Sequence, residues 1–285
     1  MNKPGAATDP FDLLVRTRTV LLDALEALDE HRDAVIVVGA QAVYLHTGEI
    51  EAAIAEATKD SDVAVDTRNL GEDPTINAAM ERANFVLNPE TKQPGAWISL
   101  DGIPVDIMVP AALAGGNPKK RSVSQPPHDK MAMRRARGLE AAVVDYSAIV
   151  VRSRVEGDSR AITANVAGPA ALIVAKCHKI DERINDPKTD RVQDKDAHDI
   201  YRLLMAFRPE ELVPAFVKLL ADDVSAEVTT EAIDILQRLF AAGADAPGSV
   251  MAGRTEEGVG DPEQVSNAIK FLAEDLVETI RNKAL

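Results

Sequence analysis

Thr58-Lys59-Asp60-Ser61-Asp62-Val63-Ala64-Val65 is the stretch that decides the fold. Two carboxylates stand two residues apart where a β-rich run begins. Side chains at i and i+2 of a strand point the same way, so Asp60 and Asp62 are expected to project together. Converging carboxylates repel one another unless a cation sits between them. An all-oxygen site suits Mg²⁺, or Mn²⁺ in its place, with water and phosphate oxygens completing the octahedron. A D-x-D pair alone also occurs on solvated strand ends, so its meaning depends on a third acid.

The neighbouring sequence offers one. Ala96–Leu100 and Ile103–Val109 flank Asp101-Gly102, a pair that predicts a hairpin with a type I′ turn. In the second arm Ile103, Val105, Ile107 and Val109 share one face, and Asp106 lies on the other. A charge inside an apolar strand is costly unless it is paired, hydrated or on a metal. Should this strand lie beside the Asp62 strand, Asp60, Asp62 and Asp106 form a triad for one or two divalent ions, the device used for in-line phosphoryl or nucleotidyl transfer. The plainer alternative is an edge-strand acid facing water. Upstream, Val38-Gly39-Ala40-Gln41 ends the strand predicted at Ala34–Val38 and opens a helix; a small-residue turn there lets backbone N–H groups approach a phosphate.

Helical periodicity is predicted for Asp12–His31, for Ala40–His46, and from Pro74 through Phe85 to a stop at Asn88-Pro89. Strands are expected at Asp62–Asp66, Ala148–Val155 and Ala161–Val166. After Gly168-Pro169 the pattern is helical only, over Ala170–Ile184, Asp196–Phe207, Pro209–Ala221, Val228–Ala242 and Pro262–Lys283, with Gly243–Gly260 read as a loop. The expected class is α+β: a mixed-sheet lobe over 1–167 flanked by helices, then a helical lobe over 168–285.

With 285 residues, 46% hydrophobic and 27% charged, the composition is that of a soluble globular protein. No run approaches the roughly 18 apolar residues of a spanning helix, and the N-terminus does not read as a signal peptide, so no membrane association and a cytoplasmic location are expected. A single cysteine, Cys177, excludes an internal disulfide and a cysteine-rich zinc site. The net charge of −14 argues against indiscriminate nucleic-acid coating. Yet Asn117–Arg137 holds seven Lys/Arg against Asp129 alone, so one phosphorylated partner could bind there; a solvated loop and helix face is the equal alternative.

A strand ending in Gly-small, a T-x-D-x-D entering the next strand, and a hairpin acid together resemble the nucleotidyltransferase fold of the DNA polymerase β superfamily. Lys176-Cys-His-Lys-Ile-Asp-Glu-Arg183 and Lys195-Asp196-Ala-His-Asp199-Ile-Tyr resemble the K-x6-R and K-D-x-x-D-[IL] motifs of AbiEii/MenT-type nucleotidyltransferase toxins. The likeness covers roughly Val35 to Leu204, with its four pieces in the family's order. It implies that Asp60 and Asp62 bind catalytic metal, with Asp106 as third carboxylate, and that Gly39-Ala40 lines the triphosphate of an NTP. Lys176 would meet the nucleotide's phosphates. Asp196 would face the same cleft, orienting Lys176 or activating the acceptor. It further implies transfer of NMP to a hydroxyl, with RNA or a tRNA 3′ end as acceptor and an antitoxin as partner. An exposed Lys176 and a helix-start Lys195-Asp196 are the structural alternatives.

Two positions depart from the pattern: Gly-Ala replaces the usual Gly-Gly or Gly-Ser, and Glu56 stands where an Arg is usual. They keep open an inactive nucleotide-binding relative, and the acidic charge balance keeps open a small-molecule (antibiotic or sugar) nucleotidyltransferase. The five histidines lack metal-ligand spacing, with His178 and His198 the two that could face the cleft; Cys177 and Trp97 read as core. No P-loop and no G-x-G-x-x-G is present.

Overall fold

Eight strands form one mixed sheet in the computed structural model, which describes residues 10–48, 59–186 and 194–284. Four β-branched residues make β1 (Val35–Val38), buried throughout at the centre of the sheet. β2 (Ser61–Val65) runs antiparallel on one side of it, and on the other side β8 (Ala161–Ala167) runs parallel. Beyond β2 come β5 (Pro104–Pro110), parallel to it, then β4 (Ala96–Ile98) and the two-residue edge strand β3 (Val86–Leu87). β7 (Tyr146–Arg152) closes the opposite edge, and β6 (Arg134–Ala136) pairs with the end of β5.

Alternation along β2 separates structure from chemistry. Ser61, wholly buried, donates its hydroxyl to the Thr17 carbonyl of α1 (Pro10–Ala27) at 3.0 Å, which fixes that helix to one face of the sheet. Asp62, the next residue, must then point to the other face, where α2 (Gly39–Thr47) begins directly after β1. From Pro169 onward the described chain is helical: α4 (Pro169–Asn185), α5 (Asp194–Ala206), α6 (Pro209–Ala221), α7 (Ala226–Leu236) with a π turn at Gln237–Ala241, α8 (Pro247–Arg254) and α9 (Pro262–Ala284). One apolar core runs from α1 through the sheet to α9. The arrangement is thus a mixed sheet flanked by helices with a helical C-terminal region. No described helix is long and apolar enough to cross a membrane.

Four local expectations are corrected. The hairpin does not use a type I′ turn, which needs positive φ at both central residues. Only Gly102 has one (φ 76°); Ser99 N–H bonds the Ile103 carbonyl and Gly102 N–H the Ser99 carbonyl, closing a three-residue loop. The helix opened at Pro74 is the short α3 (Ile76–Arg82); Asn84 at φ 63° breaks it, and Val86–Leu87 joins the sheet instead of continuing it. The strand expected at Ala148–Val155 is shifted, ending at Arg152. Gly243–Gly260 is not all loop but contains α8, whose small residues permit close approach: Met251 and Ala252 are buried and Gly248 lies against the Phe240 ring.

Candidate metal centre and its cationic wall

Register brings the acids together. β2 and β5 lie side by side with Asp62 opposite Asp106, and Asp60 precedes β2 by one residue. One carboxylate oxygen from each of Asp60, Asp62 and Asp106 lies within 4.8 Å of the others. Burial first, then the Asp60 charge, pushes the Asp62 carboxyl up to about 7. Asp106 is also raised by burial, against the opposing pull of Arg134, whose guanidinium sits 2.7 Å from it. Three hard oxygen donors in a site that penalises bare negative charge fit a divalent cation.

Gly39 makes room for this cluster. At φ +67° it occupies left-handed space, and a Cβ there would overlap the Asp62 carboxylate, lying 2.9 Å from its Cγ. The residue therefore serves the carboxylate directly, whatever it does for a phosphate. It lines a cavity of about 790 Å³ together with Asp62, Asp106 and Met108. Ala40 is buried within α2 and does not line that cavity.

The opposite wall comes from α4. Lys176, only 5% exposed at its side chain, places its ammonium 2.8 Å from Asp196 and 2.5 Å from Asp199. Burial works against its charge, but the two carboxylates overcome that and hold it protonated well above the usual lysine range. Asp196 is fully buried and takes two further cations, Lys179 at 3.1 Å and Arg183 at 2.6 Å. Burial likewise opposes its ionisation; Lys176, Lys179 and Arg183 outweigh it and keep it ionised far below the usual carboxylate range. Asp196 thus sits behind three cations and orients Lys176, without reaching the cavity surface itself.

Sequence patterns did not single out Lys179 or the Arg134–Asp106 pair; Asp199 stood in the K-D-x-x-D match with no role assigned to it. Asp199 follows Asp196 by three residues, so helical spacing alone would have put both on one face. For Arg134 the only signal was membership of the basic segment. Within that segment Arg135 is structural, its guanidinium donating to the carbonyls of Ala111, Ala114 and Gly115, and Arg137 pairs with Glu227 and Glu231. Lys119, Lys120 and Arg121 are exposed. His178 bonds the Val228 carbonyl and His198, fully buried, bonds Glu256 at 2.9 Å, so both act within the helical region. Trp97 and Cys177 are core, with Trp97 Nε1 donating to the Ala132 carbonyl. Glu56 and Thr58 lie outside the described residues.

No protein-family model matches the chain, and no curated protein matches its sequence. Among solved structures, JHP933 from Helicobacter pylori is similar over 98% of this chain and 96% of its own, at 10% identity and a TM-score of 0.39. An antigenic nucleotidyltransferase-like protein from Paracoccidioides brasiliensis is similar over 78% of this chain and 93% of its own, at 16% identity and a TM-score of 0.37. Likenesses this loose carry no argument about chemistry, which has to come from the site itself.

Proposed function

We propose that the chain is a metal-dependent nucleotidyltransferase that moves NMP from an NTP to a hydroxyl. The observation that carries this is the adjacent register of Asp62 and Asp106, which line one cavity with the α4 cations and, with Asp60, bring three carboxylates together. Asp60, Asp62 and Asp106 would hold Mg²⁺ or Mn²⁺. Bound there, a divalent ion would acidify the attacking hydroxyl and screen the triphosphate. The acceptor oxygen bonds the α-phosphorus as the α–β bridging oxygen departs with pyrophosphate, and the hydroxyl proton passes to water. Cations of α4 offset the charge that grows on the leaving group. Gly39 keeps the Asp62 carboxylate in place.

The finer reading is a toxin that modifies RNA, such as a tRNA 3′ end, and is neutralised by an antitoxin. It is supported by the motif resemblance at Lys176–Arg183 and Lys195–Asp199 and by the exposed Lys119, Lys120 and Arg121, of which Arg121 lines the cavity. The test is incubation with Mg²⁺ and each α-labelled NTP, with and without total tRNA. Label on RNA with wild type but not with Asp60→Ala is the expected result, whereas label on a small hydroxylated acceptor would redirect the substrate. Absence of NTP binding by calorimetry in the presence of Mg²⁺ would remove the enzymatic reading altogether.

A further inference from the structure

We propose that Lys179, rather than Lys176, is the side chain that binds the substrate's phosphates. The proposal rests on the nucleotidyl-transfer reading above and names the residue that serves it. Lys176 and Lys179 are one turn apart on α4 and both reach Asp196, but their situations differ. Lys176 is 5% exposed and shared between two buried carboxylates, so swinging it toward a ligand would take the ammonium from the buried Asp199, while Asp196 kept Lys179 and Arg183. Both lysines line the cavity, but Lys179 is 35% exposed and shares with Lys176 a single oxygen of Asp196 at the longer distance of 3.1 Å. Arg183 holds the other oxygen at 2.6 Å.

Lys179 is the least confined of the three cations that reach Asp196. It is also near enough to favour ionisation of both Asp62 and Asp106. Arg134, which also lines the cavity, is committed to Asp106 at 2.7 Å.

Calorimetric titration of the full chain with Mg²⁺ and the α,β-methylene analogue of each NTP tests this without turnover. For whichever analogue wild type binds, Lys179→Met is expected to weaken affinity about 10- to 100-fold, the scale of a charge-assisted hydrogen bond. The corresponding NMP should lose far less, Lys179→Arg should restore binding to within about threefold, and the melting temperature should stay at the wild-type value. Unchanged triphosphate affinity in Lys179→Met would overturn the proposal while leaving the nucleotidyltransferase reading intact. So would an equal loss for NMP and triphosphate. A wild type that binds none of the analogues would overturn both.

Discussion

Replacing Lys176 by Met isolates what the buried ion cluster contributes to folding, because methionine keeps the length and apolar stem of lysine while deleting its charge. The ammonium sits 2.8 Å from Asp196 and 2.5 Å from Asp199 with almost no solvent contact. Removing one partner of a buried pair costs about 3–5 kcal/mol, since the remaining charge is left uncompensated. Asp196 keeps Lys179 and Arg183, so Asp199 bears most of the loss and the low end applies, about 3 kcal/mol. At about 2–4 °C per kcal/mol for a chain of this size, the melting temperature should fall by roughly 6–12 °C. Thermal unfolding followed by circular dichroism at pH 7 is the assay, on wild type, Lys176→Met, Asp199→Asn and the double variant. That pH captures the full contribution. Lys176 has a raised pKa, so its stabilisation is complete below the ordinary 10.5 and is lost only as pH climbs beyond it. Asp196 has a lowered pKa, so its stabilisation is complete above 3.8 and is lost as pH falls below that. The double variant should lose less than the sum of the singles, because Asn at 199 no longer needs a counter-charge. A fall of less than about 2 °C in Lys176→Met, or strict additivity in the double variant, would refute the reasoning.

Metal binding should depend on pH through Asp62. With its carboxyl pushed up to about 7, a cation must displace a proton below that pH. Affinity for Mn²⁺ should drop about tenfold per pH unit below 7 and level off above it; calorimetry giving one constant from pH 5.5 to 8 would count against this assignment. Gly39→Ala should cost about 1–2 kcal/mol from its left-handed backbone alone and weaken Mn²⁺ binding by displacing the Asp62 carboxylate, whose Cγ is 2.9 Å from the added Cβ. Retention of wild-type Mn²⁺ affinity would show that the carboxylate has room to move. In the helical region, Gly248→Ala would set a Cβ 2.6 Å from Phe240 ring carbons. Overpacking of that kind costs about 1–3 kcal/mol, to be read from denaturant midpoints, and a neutral result would mean that α8 is free to shift.

Much of this architecture was written locally. The β-branched run Val35–Val38, the turn glycine at 102 and the helical periodicity of α4, α5 and α9 need only the sterics and hydropathy of a few consecutive residues. The D-x-D spacing likewise fixes how Asp60 and Asp62 are strung along one strand edge. Pro247-Gly-Ser-Val-Met-Ala-Gly253 shows the limit of such reading. Its composition is that of a loop, and it becomes helical through burial of Met251 and Ala252 and the close approach that Gly248 allows to Phe240.

The sequence by itself determined that three aspartates stand in strand-like surroundings and that a lysine and an acid follow on helices. It could not determine which of these meet. Asp62 opposite Asp106 is a pairing between residues 44 positions apart, set by β5 entering the sheet beside β2. Lys176 and Lys179 look alike on a helical wheel and line the same cavity, yet α5 buries one between two carboxylates and leaves the other more exposed. The reason is physical. Backbone sterics and side-chain period act over a few residues, whereas the cost of burying a charge depends on every element packed around it, and only the assembled fold sets that environment.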